Sequence, residues 1–171
     1  MVVAVYGNRA YEDALVEMQD VATEMGFQVI AAVAAIAEHS VCRVYGAGRP
    51  DEKDAKELAS FGIEIINKVK NEQPFKPLIL PGNHPYKQGT SGPYPIANNN
   101  CTECGTCADA CPTGAISLTN LQNNNQELCI GCMRCVSVCP IQARGIGERL
   151  NLLTTFLKPL CSERKINELF V

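Results

Sequence analysis

The first 73 residues alternate short apolar runs with longer stretches in which apolar residues recur at helical spacing. Residues 2–6 (VVAVY) are a continuous apolar run, which predicts a strand buried on both faces. Over Ala10–Met25 the apolar residues recur every three or four positions. This predicts a helix with one buried stripe, and Gly26 is well placed to end it. Phe27–Val33 is a second apolar run, rich in β-branched residues, and predicts a second strand.

A second helix is predicted after a polar stretch at 38–49. Pro50 and Asp51 suit its start, because the fixed φ of proline and an acidic side chain near the helix dipole both favour a first turn. Its apolar positions form a second stripe, at Ala55, Leu58, Ala59, Gly62, Ile65, Ile66 and Val69. Two β–α units in succession predict an α/β fold with a parallel sheet over residues 1–73.

The remaining segments outside the cysteine-rich region have simpler patterns. Residues 73–100 are rich in Pro, Gly and Asn, and 74–96 are predicted to form an extended linker, in which Leu78–Leu80 could pack as a short strand against the first unit. Apolar residues at helical spacing follow in 148–171, at Leu150, Leu153, Phe156, Leu157 and Leu160. They predict a C-terminal helix and tail that pack back on the first unit.

Composition excludes several classes of function. The chain has 171 residues, 46% of them apolar, and a net charge of −3, which argues against nucleic-acid or anionic-lipid surfaces because these require a basic patch. The longest apolar run, 29–37, is too short to cross a membrane. We therefore predict a cytoplasmic protein without a membrane partner. In a reducing compartment, its ten cysteines are expected to bind metal or to carry out redox chemistry rather than to form disulfides.

An internal repeat organises eight of the ten cysteines. The segment 101–112 (CTECGTCADACP) recurs as 129–140 (CIGCMRCVSVCP), and every cysteine and the final proline recur at an offset of 28 residues. Both copies fit the spacing C-x2-C-x2-C-x3-C-P. Three cysteines spaced by three residues on a tight loop can direct their sulfurs to three corners of one cubane, whereas the fourth begins a turn that leads away from it.

The fourth cysteine of each copy is therefore expected to bind the cluster of the other copy, as in the two-cluster bacterial pattern. The first predicted ligand set is Cys101, Cys104, Cys107 and Cys139. The second predicted ligand set is Cys129, Cys132, Cys135 and Cys111. These eight residues predict two [4Fe–4S] clusters as cofactors.

The alternative for the eight cysteines is two structural zinc sites. Structural zinc usually takes CxxC pairs separated by a longer loop, and a repeated triplet followed by Cys-Pro is not that pattern. Cys42 and Cys161 lie outside the repeat and are predicted to pack as small hydrophobic side chains without a ligand role.

Residues 97–147, with these two motifs, resemble the two-[4Fe–4S] ferredoxins of bacteria and archaea. The resemblance implies an α+β fold of two pseudo-symmetric halves and a role in one-electron transfer. It adds a dicluster ferredoxin domain to the α/β unit that precedes it.

The N-terminal elements resemble the C-terminal half of a flavodoxin, in the segments VVAVYGNRAYEDAL, MGFQVIAA and RPDEKDAKELASFGIEI. The resemblance implies that Gly7, Asn8, Arg9 and Tyr11 form the loop that lies against the flavin of FMN, and the alternative is that Tyr11 only packs. The Thr/Ser/Gly-rich phosphate loop of that family is absent here. Either the chain is part of a longer protein, or another chain completes the sheet. The order of segments resembles the flavodoxin–ferredoxin fusion proteins of anaerobic microbes.

The predicted function is that of an iron–sulfur electron-transfer protein that relays single electrons between redox partner proteins. No arrangement of residues for acid–base or nucleophilic catalysis stands out in the sequence, so we do not predict an enzyme. The alternative is the electron-input part of an FMN-dependent oxidoreductase whose N-terminal flavodoxin half is missing or lies on another chain.

Overall fold

The computed structural model describes residues 1–88 and 92–171, and it divides into two compact units. The first unit comprises Met1–His39, Arg43–Gln88 and Leu157–Val171. The second comprises Ser40–Cys42 and the described part of Gly89–Phe156. Most of the predicted linker 74–96 is therefore described, but its residues 89–91 lie outside the described part of the chain.

The first unit contains a three-stranded sheet. Strands β1 (Val2–Tyr6) and β2 (Ala32–Ile36) are parallel, in a register that pairs Val2 with Ala32 and Tyr6 with Ile36. Strand β5 (Glu168–Phe170) lies antiparallel on the other side of β2. Every residue of β2 is buried, which explains why its sequence is a continuous apolar run rather than an alternating one.

The helix between the two parallel strands, α1, spans Ala14–Glu24 and packs Leu15 into the core of the sheet. Its C-terminus has the predicted glycine cap. Gly26 has a φ of 85° and donates its N–H to Thr23, while Phe27 donates to Ala22. These two bonds form a Schellman motif, in which glycine is favoured because a Cβ would be strained at positive φ.

The second strand begins later than the sequence predicts. It covers Ala32–Ile36 rather than Phe27–Val33. The Schellman turn directs Phe27 outward, where it is 68% exposed, and pairing with β1 starts only at Ala32. Pairing with a distant strand therefore sets this boundary, rather than the local apolar run. Leu78–Leu80 also differs from expectation, since Leu80 packs into the core although the segment is not a strand.

Helix α2 spans Glu52–Asn71 and begins as predicted. Asp51 is its N-cap, and the Asp51 carboxylate accepts the backbone N–H of Asp54 at 3.0 Å while Asp54 reciprocates, which is a capping box. The expected burial of its apolar stripe is wrong. Ile66 and Val69 are exposed, and the only buried residue of the helix is Asp54.

A buried polar network joins the first turn of α2 to the C-terminal segment of the first unit. Asp54 is fully buried, and both of its oxygens accept hydrogen bonds from the guanidinium of Arg49. Asn167 donates to Asp54 at 3.1 Å and accepts the backbone N–H of Ile36 at 2.8 Å. The network therefore links the end of β2, the start of α2 and the residue that precedes β5.

The second unit contains short elements and long loops. Strands β3 (Ile96–Ala97) and β4 (Arg144–Gly145) pair antiparallel, so the two ends of the cysteine-rich segment lie side by side. The short helices α3 (Thr106–Asp109) and α4 (Arg134–Ser137) follow the same offset of 28 residues as the cysteines. Helix α5 (Arg149–Cys161) begins in the second unit and ends in the first. Among the helices of the described residues, none is long and apolar enough to cross a bilayer.

Candidate metal centre

Two pockets in the second unit are each lined by four of the repeat cysteines. The first cysteine pocket, with about 340 Å³ of empty space open to solvent, is lined by Cys101, Cys104, Cys107 and Cys139. The second cysteine pocket, of about 300 Å³, is lined by Cys129, Cys132, Cys135 and Cys111. The structure thus brings together three consecutive cysteines of one copy and the last cysteine of the other copy at each pocket.

The backbone around the two pockets repeats with the same offset as the sequence. Each copy has three residues with left-handed φ, at equivalent positions. These positions are Glu103, Gly105 and Gly114 in the first copy and Gly131, Met133 and Gln142 in the second. Left-handed residues flanked by right-handed ones wind the chain tightly and turn successive N–H groups toward one concave side, which favours an anionic group. Glycine occupies three of these six positions because it has no Cβ to strain.

The helices α3 and α4 bury one cysteine of each triplet. Cys107 and Cys135 are buried and pack in one apolar cluster with Ile116 and Leu121. The middle cysteine of each triplet, by contrast, is exposed. The chain then leaves each helix and reaches the fourth cysteine, which lines the pocket of the other copy's triplet.

Hydrogen bonds from neighbouring groups reach several of the sulfurs. The backbone N–H of Ala115 donates to Cys111 Sγ at 3.3 Å, and that of Ala143 donates to Cys139 Sγ at the same distance. The Thr106 hydroxyl lies 3.4 Å from Cys104 Sγ, and this hydrogen bond lowers the pKa of the Cys104 thiol. Such bonds stabilise the thiolate, which is the form that binds metal.

Burial acts in the opposite direction at two of the cysteines. It raises the pKa of the Cys135 thiol, because an apolar environment disfavours the thiolate. At Cys111 burial also raises the pKa, but hydrogen bonds from Thr113 and Ala115 outweigh it and the pKa is lowered overall. The pockets therefore combine apolar walls with donors aimed at sulfur.

The donor set of each pocket fits an iron–sulfur cluster. Four cysteines line each pocket, which is the ligand set that [4Fe–4S] clusters take, and one sulfur in each set accepts a backbone N–H. Within residues 1–88 and 92–171, no three His, Cys, Asp or Glu side chains converge closely enough to hold a single metal ion. None of the ten cysteines forms a disulfide, and Cys42 and Cys161 lie buried outside the pocket linings.

Sequence analysis missed two residues of this region, Arg144 and Asn124. Arg144 is buried, lines the first cysteine pocket, and its Nη1 lies 3.6 Å from Cys107 Sγ. Asn124 lines the second cysteine pocket, and its side-chain N–H donates to Cys129 Sγ at 3.5 Å. A signal for the first of these was present, because Arg144 occupies the position at which the other copy has Ile116.

The residues predicted to contact a flavin are engaged by the C-terminal segment of the first unit. Asn8 is buried and donates to the carbonyl oxygens of Cys161 and Glu163 at 2.8 Å each. The Tyr11 hydroxyl donates to Glu168, and the pKa of Tyr11 is raised by burial and by this bond. Arg9 pairs with its neighbour Glu12. These contacts supply a packing role for the loop, and FMN contact stays a prediction without support from them.

Gly7, the remaining residue of this loop, packs against His39, and its substitution tests how closely the loop is packed. A Cβ on Gly7 would lie 2.6 Å from the Cα of His39, so Gly7→Ala must displace backbone and is expected to destabilise the protein by about 1–3 kcal/mol. Gly62→Ala is the matched control. It adds a methyl in the interior of α2 with no heavy atom within 4 Å and should stabilise by about 1 kcal/mol. Urea unfolding followed by far-UV circular dichroism measures both. An unchanged Gly7→Ala midpoint would contradict the close contact.

Comparison with known proteins agrees with the cysteine pattern. Residues 100–143, about a quarter of the chain, match the family described as 4Fe-4S dicluster domain. The chain is 34% identical over 67 residues to the Protein NrfC homolog of Haemophilus influenzae, covering 36% of this chain and 30% of that protein. It is 37% identical over 49 residues to one of the chains of polysulfide reductase from Wolinella succinogenes, covering 26% of each of the two proteins.

A third relative is one of the subunits of the ion-translocating oxidoreductase complex of Methanosarcina acetivorans. It is 43% identical over 49 residues, which cover 28% of this chain and 19% of that relative. The chain therefore spans less than a third of the length of these relatives. No solved structure matches the chain. The matched segment contains all eight repeat cysteines and both pockets' sulfur donors, so residues 100–143 are a 4Fe-4S dicluster domain of ferredoxin type.

Proposed function

We propose that this chain transfers single electrons through two [4Fe–4S] clusters held in crossed ligand sets. Cys101, Cys104, Cys107 and Cys139 would hold one cluster, and Cys129, Cys132, Cys135 and Cys111 would hold the other. The observation that carries the proposal is that each of two pockets is lined by one triplet and by the fourth cysteine of the other copy. An iron–sulfur electron-transfer function fits the dicluster domain.

The chain's own residues would bind the clusters, shield them and set their potentials. The eight thiolates supply the ligands, and the apolar cluster around Cys107 and Cys135 keeps water from one side of each site. The N–H groups of Ala115 and Ala143 donate to ligand sulfur, and hydrogen bonds of this kind help to set the reduction potential. The cluster chemistry itself is the reversible uptake of one electron at each site.

Metal and sulfide content tests the proposal directly. The full chain, reconstituted without oxygen in the presence of iron and sulfide, is expected to bind about eight irons and about eight acid-labile sulfides. It should be brown and should bleach on reduction with dithionite. About four irons per chain would reduce the proposal to one cluster. Zinc without labile sulfide would favour the structural zinc alternative.

We also propose that the electron partners are other redox proteins. Two of the relatives are named as parts of larger redox proteins, one of a polysulfide reductase and the other of an ion-translocating oxidoreductase complex. By analogy, this chain would pass electrons to or from a further subunit rather than react with a small substrate itself. A cytoplasmic location is part of the same proposal and follows only from the reducing environment that the cysteines require.

For the first unit, we propose a partial flavodoxin-like β/α unit over residues 1–73, with 148–171 as the tail that packs on it. Its support is the parallel pair β1–β2 with α1 between the strands, and β5 paired to β2. Strand β1 is at the edge of this sheet, where a further chain could pair. Gel filtration of the purified chain tests this proposal. A flavin-binding unit would retain FMN, whereas the partial unit proposed here would not.

A further inference from the structure

Arg144 places a buried positive charge beside both sets of cysteines. Arg144 is 4% exposed, and its Nη1 lies 3.6 Å from Cys107 Sγ of the first pocket. Nη2 donates to Asn124 Oδ1, and the amide N–H of Asn124 donates in turn to Cys129 Sγ of the second pocket. One cation therefore contacts one cysteine set directly and reaches the other through a single amide.

No carboxylate among the described residues forms an ion pair with Arg144. Its oxygen acceptors are neutral, namely the carbonyls of Leu121 and Pro95 and the amide of Asn124. Within the described residues, its buried Nε–H has no acceptor. A buried charge without a counter-charge is costly, so this arrangement favours an anion close to Arg144 that no carboxylate of the described residues supplies.

The cysteine pockets account for that missing anion. A cluster bound by four thiolates carries a net negative charge, and each one-electron reduction makes that charge more negative. A fixed positive charge in a low-dielectric interior stabilises the more negative state and thereby raises the reduction potential. The second copy of the repeat has this cation, and the first copy has the apolar Ile116 at the equivalent position. Among the described residues that line the two pockets, Arg144 is the one buried cation.

We propose that Arg144 is a positioning residue that sets the reduction potentials of both clusters by serving as their shared buried cation. This inference rests on the proposed two-cluster function. It predicts that removal of the charge lowers both potentials, because both cysteine sets lose the same stabilising charge. A residue that only packs the domain would change stability without a directed shift of the potentials.

The test is a redox titration of the reconstituted full chain, followed by electron paramagnetic resonance. Arg144→Gln removes the charge and keeps an amide donor, and it is expected to shift each reduction equilibrium at least tenfold toward the oxidised form. Such a shift is about 59 mV for a one-electron couple. Arg144→Lys keeps the charge and should shift each equilibrium less than threefold.

Arg134→Gln is the matched control for loss of charge. Arg134 also lines the second cysteine pocket, but it is exposed, so its charge is screened by solvent and salt. We expect a shift of less than threefold. Iron and sulfide are counted in every variant before the titration, so that a loss of clusters is separated from a shift of potential. Unchanged potentials in a fully loaded Arg144→Gln variant would overturn the inference.

If the Arg144→Gln variant does not bind its clusters, a second measurement tests the inference on the wild-type protein. Wild-type protein labelled with ¹⁵N-arginine is reduced, and pulsed electron paramagnetic resonance should detect nitrogen coupling to the cluster spin that Arg144→Lys abolishes. Absence of this coupling in the wild type would overturn the inference. A wild-type chain that binds no iron would overturn the proposed function, and this inference with it.

Discussion

Replacing Cys111 by alanine is expected to remove the cluster of the other copy rather than that of its own triplet. Cys111 lines the second cysteine pocket together with Cys129, Cys132 and Cys135. The variant should therefore retain about four of about eight irons, because the first ligand set remains complete. The reciprocal variant, Cys139→Ala, should lose the cluster held by the first ligand set, since Cys139 lines the first cysteine pocket.

Anaerobic alkylation of thiols followed by mass spectrometry identifies the cluster that is lost. Cysteines that bind a cluster are protected, so in Cys111→Ala the triplet 129–135 should become alkylated while 101–107 stays protected. In Cys139→Ala the pattern should be reversed. Cys42→Ala is the control, because Cys42 is buried outside both pockets and its loss should leave iron content and protection unchanged. Alkylation of 101–107 in Cys111→Ala would show that each copy binds its own cluster.

The spacing of the cysteines, with the known two-cluster pattern, predicts crossed ligand sets, and the linings of the two pockets follow the same grouping. A triplet at intervals of three residues, followed by a fourth cysteine and a proline, leaves few ways to arrange four sulfurs around one space. The residues with left-handed φ can be predicted only in part from the sequence. Gly105 and Gly131 indicate them, but Glu103 and Met133 are recognised only when one copy is aligned with the other.

Other features depend on contacts between residues far apart in the chain, which local patterns do not encode. The local apolar pattern predicts the wrong start for β2, because the strand begins where it pairs with β1, and β1 precedes α1 in the chain. The pairing of β5 with β2 joins residues more than 130 positions apart. Arg144 was overlooked because a single arginine in sequence suggests an exposed charge, whereas its burial follows from the loops that pack over it. The break in the repeat at this position was the one available signal.

The other large effect is expected from Asp54→Asn in the first unit. The side chains of Asp54 and Arg49 are 0% and 4% exposed, and both carboxylate oxygens of Asp54 accept hydrogen bonds from the guanidinium. Asparagine keeps the shape but leaves the buried charge of Arg49 without its counter-charge. Breaking a buried pair in this way costs about 3–5 kcal/mol. Hydrogen exchange measured by mass spectrometry should show lost protection in β2 and in residues 164–170.

Glu52→Gln is the matched control for this substitution. It removes the same charge from the same first turn of α2, but Glu52 is exposed, so the expected change is within about 0.5 kcal/mol. Equal loss of protection in the two variants would mean that the helix dipole, rather than the buried pair, is responsible. Protection within the cysteine-rich segment, measured on the same samples, shows whether the effect is confined to the first unit.

The pH dependence of stability distinguishes loss of the Asp54 charge from a packing defect, because only the loss of charge depends on pH. Hydrogen bonds from the Arg49 guanidinium hold the pKa of Asp54 well below its usual range. The unfolded chain binds this proton at about pH 3.9, so the stabilisation is fully present above that pH and is lost as the pH falls further. The urea midpoints of wild type and Asp54→Asn should differ most at neutral pH, and the difference should begin to shrink below about pH 3.9 and vanish only as the pH falls through the lower pKa of folded Asp54. Because acid also dissolves iron–sulfur clusters, the difference between the two proteins is the relevant quantity. A difference that does not change with pH would show that the charge on Asp54 contributes nothing to stability.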